Sequence, residues 1–140
     1  MENFSTRAQV AFADRGWRFT AGTRNLARVL EETDVPLPVR DISAALEDAG
    51  RGIDTATVYR LLERFLETRL IHRVAGGFFP CANPENGSDS HHFLVCEKCA
   101  RAEEIFLDYK DSISKQLEKE KGFLLREVDL TFFGACKHCR

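Results

Sequence analysis

Apolar positions along this chain follow two different periods. Between Thr20 and Leu66 they recur at steps of three and four, and beyond Leu70 they alternate. Thr20 offers a helix start, followed by Leu26, Val29 and Leu30 at helical spacing. The segment VPLPV, with Pro36 and Pro38, predicts an extended connector. Asp41 is placed to cap a second helix whose stripe is Ile42, Ala45, Leu46 and Ala49, ended by AGRG. Asp54 opens a third, in which Val58, Leu61, Leu62, Phe65 and Leu66 form the buried stripe. Thr57, Arg60 and Arg64 fall on another face of that helix. LIHRV and GFFPC, joined through Ala75, Gly76 and Gly77, predict two strands around a tight turn. Three helices followed by a hairpin is the order of a winged helix.

The second half changes period. HHFLVC is strand-like, EEIF is a short apolar continuation, and Tyr109, Ile113 and Leu117 mark one face of a helix. FLLREVDLTFF alternates, with Val128, Leu130 and Phe132 on one side. Between the halves, CANPENGSDS is rich in Asn, Gly, Ser and Pro and has no periodicity. The expected fold class is therefore α+β: an N-terminal winged helix-turn-helix domain over 1–81, a linker over 82–90, and a small α/β domain over 91–140.

Composition narrows the function classes. The 140 residues are 44% hydrophobic and 30% charged, with a formal net charge of −2. No apolar run approaches the ~20 residues that span a bilayer, so a cytoplasmic protein with no membrane partner is expected. Residues 1–80 hold eleven Arg, no Lys and eleven acids, so net charge alone does not announce a nucleic-acid binder. Arginine without lysine nevertheless suits phosphates and guanine edges, because the guanidinium fork pairs with two acceptors at once.

The candidate chemistry is concentrated in HHFLVCEKCARAEE and at the C-terminus. Cys96 and Cys99 form one CxxC pair, and Cys136 and Cys139 form another. Two such turns supply the tetrahedral sulfur set that zinc favours, and a strand–strand–helix–strand unit between them would bring the ends together. A thioredoxin-like redox motif needs no second pair. His72, Cys81, His91, His92, Glu103, Glu104 and Asp89 are left for a second site. Each also has a plain structural role open to it: Cys81 as a small buried hydrophobe, His72 as a surface residue, the glutamates as a solvated edge.

ATVYRLLERF in the third predicted helix, CEKC after a histidine-bearing strand and the terminal CKHC make the chain resemble the ferric uptake regulator family of bacterial metal-sensing repressors. The resemblance runs from GWRFT to CKHC and implies a winged helix followed by a dimerisation domain. The loop EETDVPLPVRD lacks the histidine usual in iron and peroxide sensors, and Phe93 stands where they tend to carry another. The chain is instead similar to the zinc uptake regulator branch, which implies a regulatory metal held by His72, Cys81, Glu104 and a histidine before Cys96. Of the two available, His91 is taken over His92, because it lies an odd number of positions before Cys96, as family ligands there do. His138 is a bystander.

The resemblance implies one structural and one regulatory Zn²⁺ per monomer. It also implies a homodimer that binds palindromic double-stranded operator DNA and represses zinc-uptake genes, with no small-molecule substrate. Tyr59 and Arg60 would read bases, with Thr57 and Arg64 on the DNA backbone. An iron-, manganese- or peroxide-responsive repressor of the same family is the alternative. A zinc hydrolase or deaminase is remote, because the HxE…PCxxC arrangement is missing.

Overall fold

The computed structural model describes residues 2–82, 91–126 and 128–140, with the backbone alone at His91. The expected linker, apart from Ala82, and Asp89 within it therefore lie outside the described residues. The chain divides into two compact units, Met1–Ala82 and Asn83–Arg140. No helix among the described residues is long and apolar enough to cross a membrane.

The first unit holds four helices, one more than the periodicity predicts: α1 (Phe4–Asp14), α2 (Ala21–Glu31), α3 (Val39–Asp48) and α4 (Thr55–Glu67). The unforeseen α1 is capped by Asn3, whose side chain accepts from the Thr6 N–H at 2.8 Å. It buries Phe4, Ala8 and Phe12 at four-residue steps. Thr20 caps α2 and Asp54 caps α4, as expected. Asp41 does not cap α3. That helix begins at Val39 with Pro38 as N-cap, and Asp41 lies in its first turn, where a carboxylate still complements the helix dipole.

The four helices close around Phe12, Leu26, Leu30, Ile42, Leu46, Val58, Leu62 and Phe65, all buried. Fully burying each such side chain contributes about 1.5–3 kcal/mol. Phe12 and Phe65 meet at 5.2 Å between ring centroids, tying α1 to α4. Ala49, expected in the α3 stripe, is exposed.

β1 (Ile71–Val74) and β2 (Gly77–Pro80) form an antiparallel hairpin in which Val74 opposes Gly77. The connecting turn is Ala75-Gly76, both with positive φ (48° and 79°), the backbone that two-residue hairpins require. The connector before α3 joins this hairpin: the Leu37 N–H donates to the Phe78 carbonyl at 2.9 Å, and the Phe78 N–H returns to Leu37 at 2.8 Å. A Cβ on Gly77 would come within 2.8 Å of the Leu37 backbone, so only glycine admits this approach. These elements form a winged helix.

In the second unit, β3 (His91–Cys96), β4 (Ala102–Phe106) and β5 (Leu130–Gly134) make one sheet in the order β4-β3-β5. β3 runs antiparallel to β4 and parallel to β5. Between β4 and β5, α5 (Lys110–Lys121) supplies the crossover that a parallel pairing needs. The predicted last strand is shorter than its alternation suggested, since among the described residues Leu130–Gly134 forms the paired strand. Tyr109 sits at the N-cap of α5 rather than inside it, and Ile113 and Leu117 are half-buried.

Candidate functional site

β3 and β5 each end in a cysteine-bearing turn. The Cys96 N–H donates to the Arg101 carbonyl at 3.0 Å and the Ala100 N–H to the Cys96 carbonyl at 2.9 Å, folding Glu97 to Ala100 back on themselves. Ala100 takes a φ of 62° to close this turn. At the other end, the Cys139 N–H donates to the Cys136 carbonyl at 3.0 Å. Parallel pairing sets Cys96 beside Gly134, and the Glu97 N–H reaches the Gly134 carbonyl at 2.8 Å. Lys98 Nζ caps the junction by donating to the Cys139 carbonyl at 2.7 Å. Sheet register is thus what brings two turns so distant in sequence together.

The sulfurs of Cys96, Cys99, Cys136 and Cys139 all lie within 4.8 Å of one another. Cys99 and Cys136 are 3.9 Å apart. Four thiolates about 2.3 Å from a tetrahedral zinc are separated by roughly 3.8 Å, so the set fits that ion. Backbone amides prepare it for a cation. The Cys136 N–H donates to Cys96 Sγ at 3.4 Å. With the N–H groups of Cys99 and Lys98, that donor brings the Cys96 thiol down to about 6. The His138 N–H lowers Cys136. Cys139 is pushed up to about 12, chiefly by its hydrogen bond with Cys136 and then by burial. A divalent cation completes such a set by displacing the remaining protons. The exposed His138 is outside this group of ligands.

The hairpin of the first unit carries a second donor pair. His72 opposes Phe79, and Cys81 follows two residues after Phe79, so the pleat turns His72 and Cys81 to one face. The Cys81 N–H donates to the Leu70 carbonyl at 2.8 Å, and Arg7 donates to the Cys81 carbonyl at 2.9 Å. The ligating atoms of His72 and Cys81 lie within 4.8 Å of each other. In the second unit, Glu104 stands on β4 opposite Phe93, and His91 opens β3 opposite Phe106. The His91 side chain lies outside the described residues. His92 is 1% exposed and engaged with Tyr109, whose hydroxyl lies 3.0 Å from His92 Nε2.

α4 carries the residues singled out for DNA, with Tyr59 and Arg60 exposed and Thr57 and Arg64 half-buried. Tyr59 is 52% exposed and so is not a packing residue. Thr57 donates from Oγ1 to Asp54 Oδ1 at 2.6 Å and accepts from the Arg60 guanidinium at 3.1 Å. The Asp54 carboxyl is held below its ordinary value by the Thr57 hydroxyl, then by the Thr57 N–H. Thr57 therefore orients Arg60. The Arg64 guanidinium carbon stands over the Trp17 ring, 5.2 Å from its centroid. The periodicity gave no sign of Trp17, and it set Tyr109 on a helix face without showing its contact with His92; both roles rest on tertiary contacts.

A winged helix whose last helix, α4, carries Arg60 and Arg64, followed by a four-cysteine sheet unit, has close counterparts. The ferric uptake regulator family matches residues 14–133. The ferric uptake regulation protein of Bacillus subtilis is 27% identical over 143 residues, covering 99% of this chain and 96% of that protein. The zinc uptake regulation protein of Escherichia coli is 24% identical over 135 residues, covering 95% and 79%. Among solved structures, a zinc uptake regulator complexed with zinc and DNA shares the fold, with a TM-score of 0.82 at 23% identity. That match covers 96% of this chain and 91% of that one. The Vibrio cholerae ferric uptake regulator aligns with a TM-score of 0.60 at 24% identity, over 92% and 99%. Profile, length and architecture agree: the chain belongs to the ferric uptake regulator family of metal-responsive transcriptional regulators.

Proposed function

We propose that this regulator is a zinc-responsive repressor: a homodimer with one structural and one regulatory zinc per monomer, binding palindromic operators of zinc-uptake genes. Matching relatives include both ferric and zinc uptake regulators, so the donor set must decide the metal. The observation that carries the reading is the His72–Cys81 pair on one face of the hairpin. A thiolate beside an imidazole favours zinc over iron or manganese, which prefer harder donors.

The four cysteines hold the structural ion and keep the second unit folded. His72, Cys81, His91 and Glu104 hold the regulatory one, two residues from each unit. An ion so held supplies a cross-link that a single relative disposition of the units satisfies. Switching from about 1% to 99% competent protein requires a preference of about 10⁴, or ~5.5 kcal/mol. Operator DNA must then tighten zinc binding by the same factor. The half-buried Ile113 and Leu117 and the exposed Phe132 and Phe133 supply the apolar surface for the dimer. In that dimer, Tyr59 packs on a thymine methyl, Arg60 pairs with guanine, and Thr57 and Arg64 meet the backbone.

The test is a titration of chelator-treated protein on a palindromic AT-rich duplex with zinc, iron(II) and manganese(II) separately. Zinc alone should restore tight binding. Restoration by iron or manganese, with zinc inert, would establish the alternative sensor and remove this reading.

A further inference from the structure

Trp17 is the chain's single tryptophan and lies outside every helix, half-buried between α1 and α2. Its ring meets Phe12 edge-on at 5.4 Å and 81°, which fixes one side of the indole to the core. Two guanidinium groups stand over the same ring, Arg64 at 5.2 Å and Arg15 at 5.4 Å. Arg15 is held a second time, donating to the Glu67 carbonyl at 3.3 Å and pairing with the Glu67 carboxylate at 3.8 Å. One indole therefore gathers two positive charges beside the C-terminal half of α4.

A guanidinium held over a ring by its charge still has five N–H donors, so some remain for an acceptor. Arg64 follows Arg60 by four residues, so both lie on one face of α4, about 6 Å apart along its axis. A recognition helix meets base edges through its N-terminal residues. Arg64, one turn further on, then stands at the rim of the groove, where phosphates are the acceptors.

We propose that Trp17 is a positioning residue for DNA binding, pre-orienting Arg64 toward a backbone phosphate. Without the indole, that long side chain must be ordered at the moment of binding, at a cost in affinity. The inference rests on the reading of α4 as the DNA-contacting helix, and its test separates the two. Because a phosphate contact is indifferent to sequence, a mixed-sequence 30-base-pair duplex serves as probe for the full-length, zinc-loaded protein.

Affinity is measured as a function of salt for wild type, Arg64→Ala, Trp17→Leu, Trp17→Phe and the Trp17→Leu/Arg64→Ala double variant. Thermal unfolding is followed in parallel. Arg64→Ala should flatten the dependence of log K on log salt by about 0.9 per lost contact. Trp17→Leu should weaken binding about 3- to 10-fold at low salt, with Trp17→Phe recovering most of the loss. The double variant should bind no worse than Arg64→Ala. The fluorescence of Trp17 should change when duplex is added to wild type and stay constant in Arg64→Ala. Additive losses, or a Trp17→Leu protein that loses stability but keeps wild-type affinity and salt slope, would overturn the proposal and leave Trp17 a packing residue. A zinc-loaded wild type that binds no duplex would refute the DNA reading itself, and the proposal with it.

Discussion

The Tyr109 hydroxyl lies 3.0 Å from His92 Nε2, and the two rings stack at 5.1 Å and 26°. This pair joins the start of α5 to the central strand of its sheet. Burial pushes the Tyr109 phenol above its ordinary value, so it stays protonated at neutral pH. His92 is thereby committed to the interior of the second unit, and His91 is left as the proposed ligand.

Tyr109→Phe keeps the stacking and removes the hydrogen bond. It should cost about 1 kcal/mol in denaturant unfolding. Both zincs should remain, as read by metal analysis. His91→Ala should do the opposite, releasing one zinc while leaving stability in excess metal nearly unchanged. Loss of zinc from Tyr109→Phe would show that His92 is the ligand.

Gly77→Ala drives a Cβ to within 2.8 Å of the Leu37 backbone, which has no side chain to swing aside. The expected loss is roughly 1–3 kcal/mol, as for other overpacked sites. Thermal unfolding measures it. Because the connector to α3 must move away, DNA affinity should fall as well.

Asp54 caps α4 and anchors Thr57, and its carboxyl titrates below the ordinary 3.8. Its contribution is thus fully present above that value and is lost as pH falls through the lower folded value. Asp54→Asn keeps a capping oxygen without a titrating charge. Wild type should therefore lose more stability than Asp54→Asn on acidification below about pH 4. Thr57→Val removes the acceptor that orients Arg60, and should weaken operator binding several-fold with little change in unfolding. Equal effects on both would show Thr57 to be a helix-stability residue alone.

Much of this was legible because it depends on local chemistry. Thr20 and Asp54 cap where short polar side chains precede an apolar stripe, and the paired CxxC turns announce their geometry by spacing. The α1 helix escaped, although Asn3 and the Phe4, Ala8, Phe12 stripe were present. Ala11 and Ala13 on either side of Phe12 blur the polar face, and Val10 is exposed. Asp41 misled because a polar residue ahead of a stripe reads as a cap, while Pro38, three residues earlier at the end of the connector, took that position. Trp17 with Arg64, and His92 with Tyr109, were hidden for a different reason. Each pair joins elements distant in sequence, and no periodicity records which surfaces meet.

The division of labour between the two sites is the central claim, and zinc per monomer read beside DNA binding tests it most directly. Metal is counted in wild type, Cys81→Ser and Cys96→Ser, before and after mild chelation, with a palindromic AT-rich duplex as probe. Wild type should fall from two zincs to one and lose DNA binding, which zinc restores. Cys81→Ser should hold one zinc, stay folded and dimeric, and bind no operator at any zinc level. Cys96→Ser should unfold its second unit. One zinc throughout in wild type, or two cysteine variants that behave alike, would contradict a structural site separate from a regulatory one.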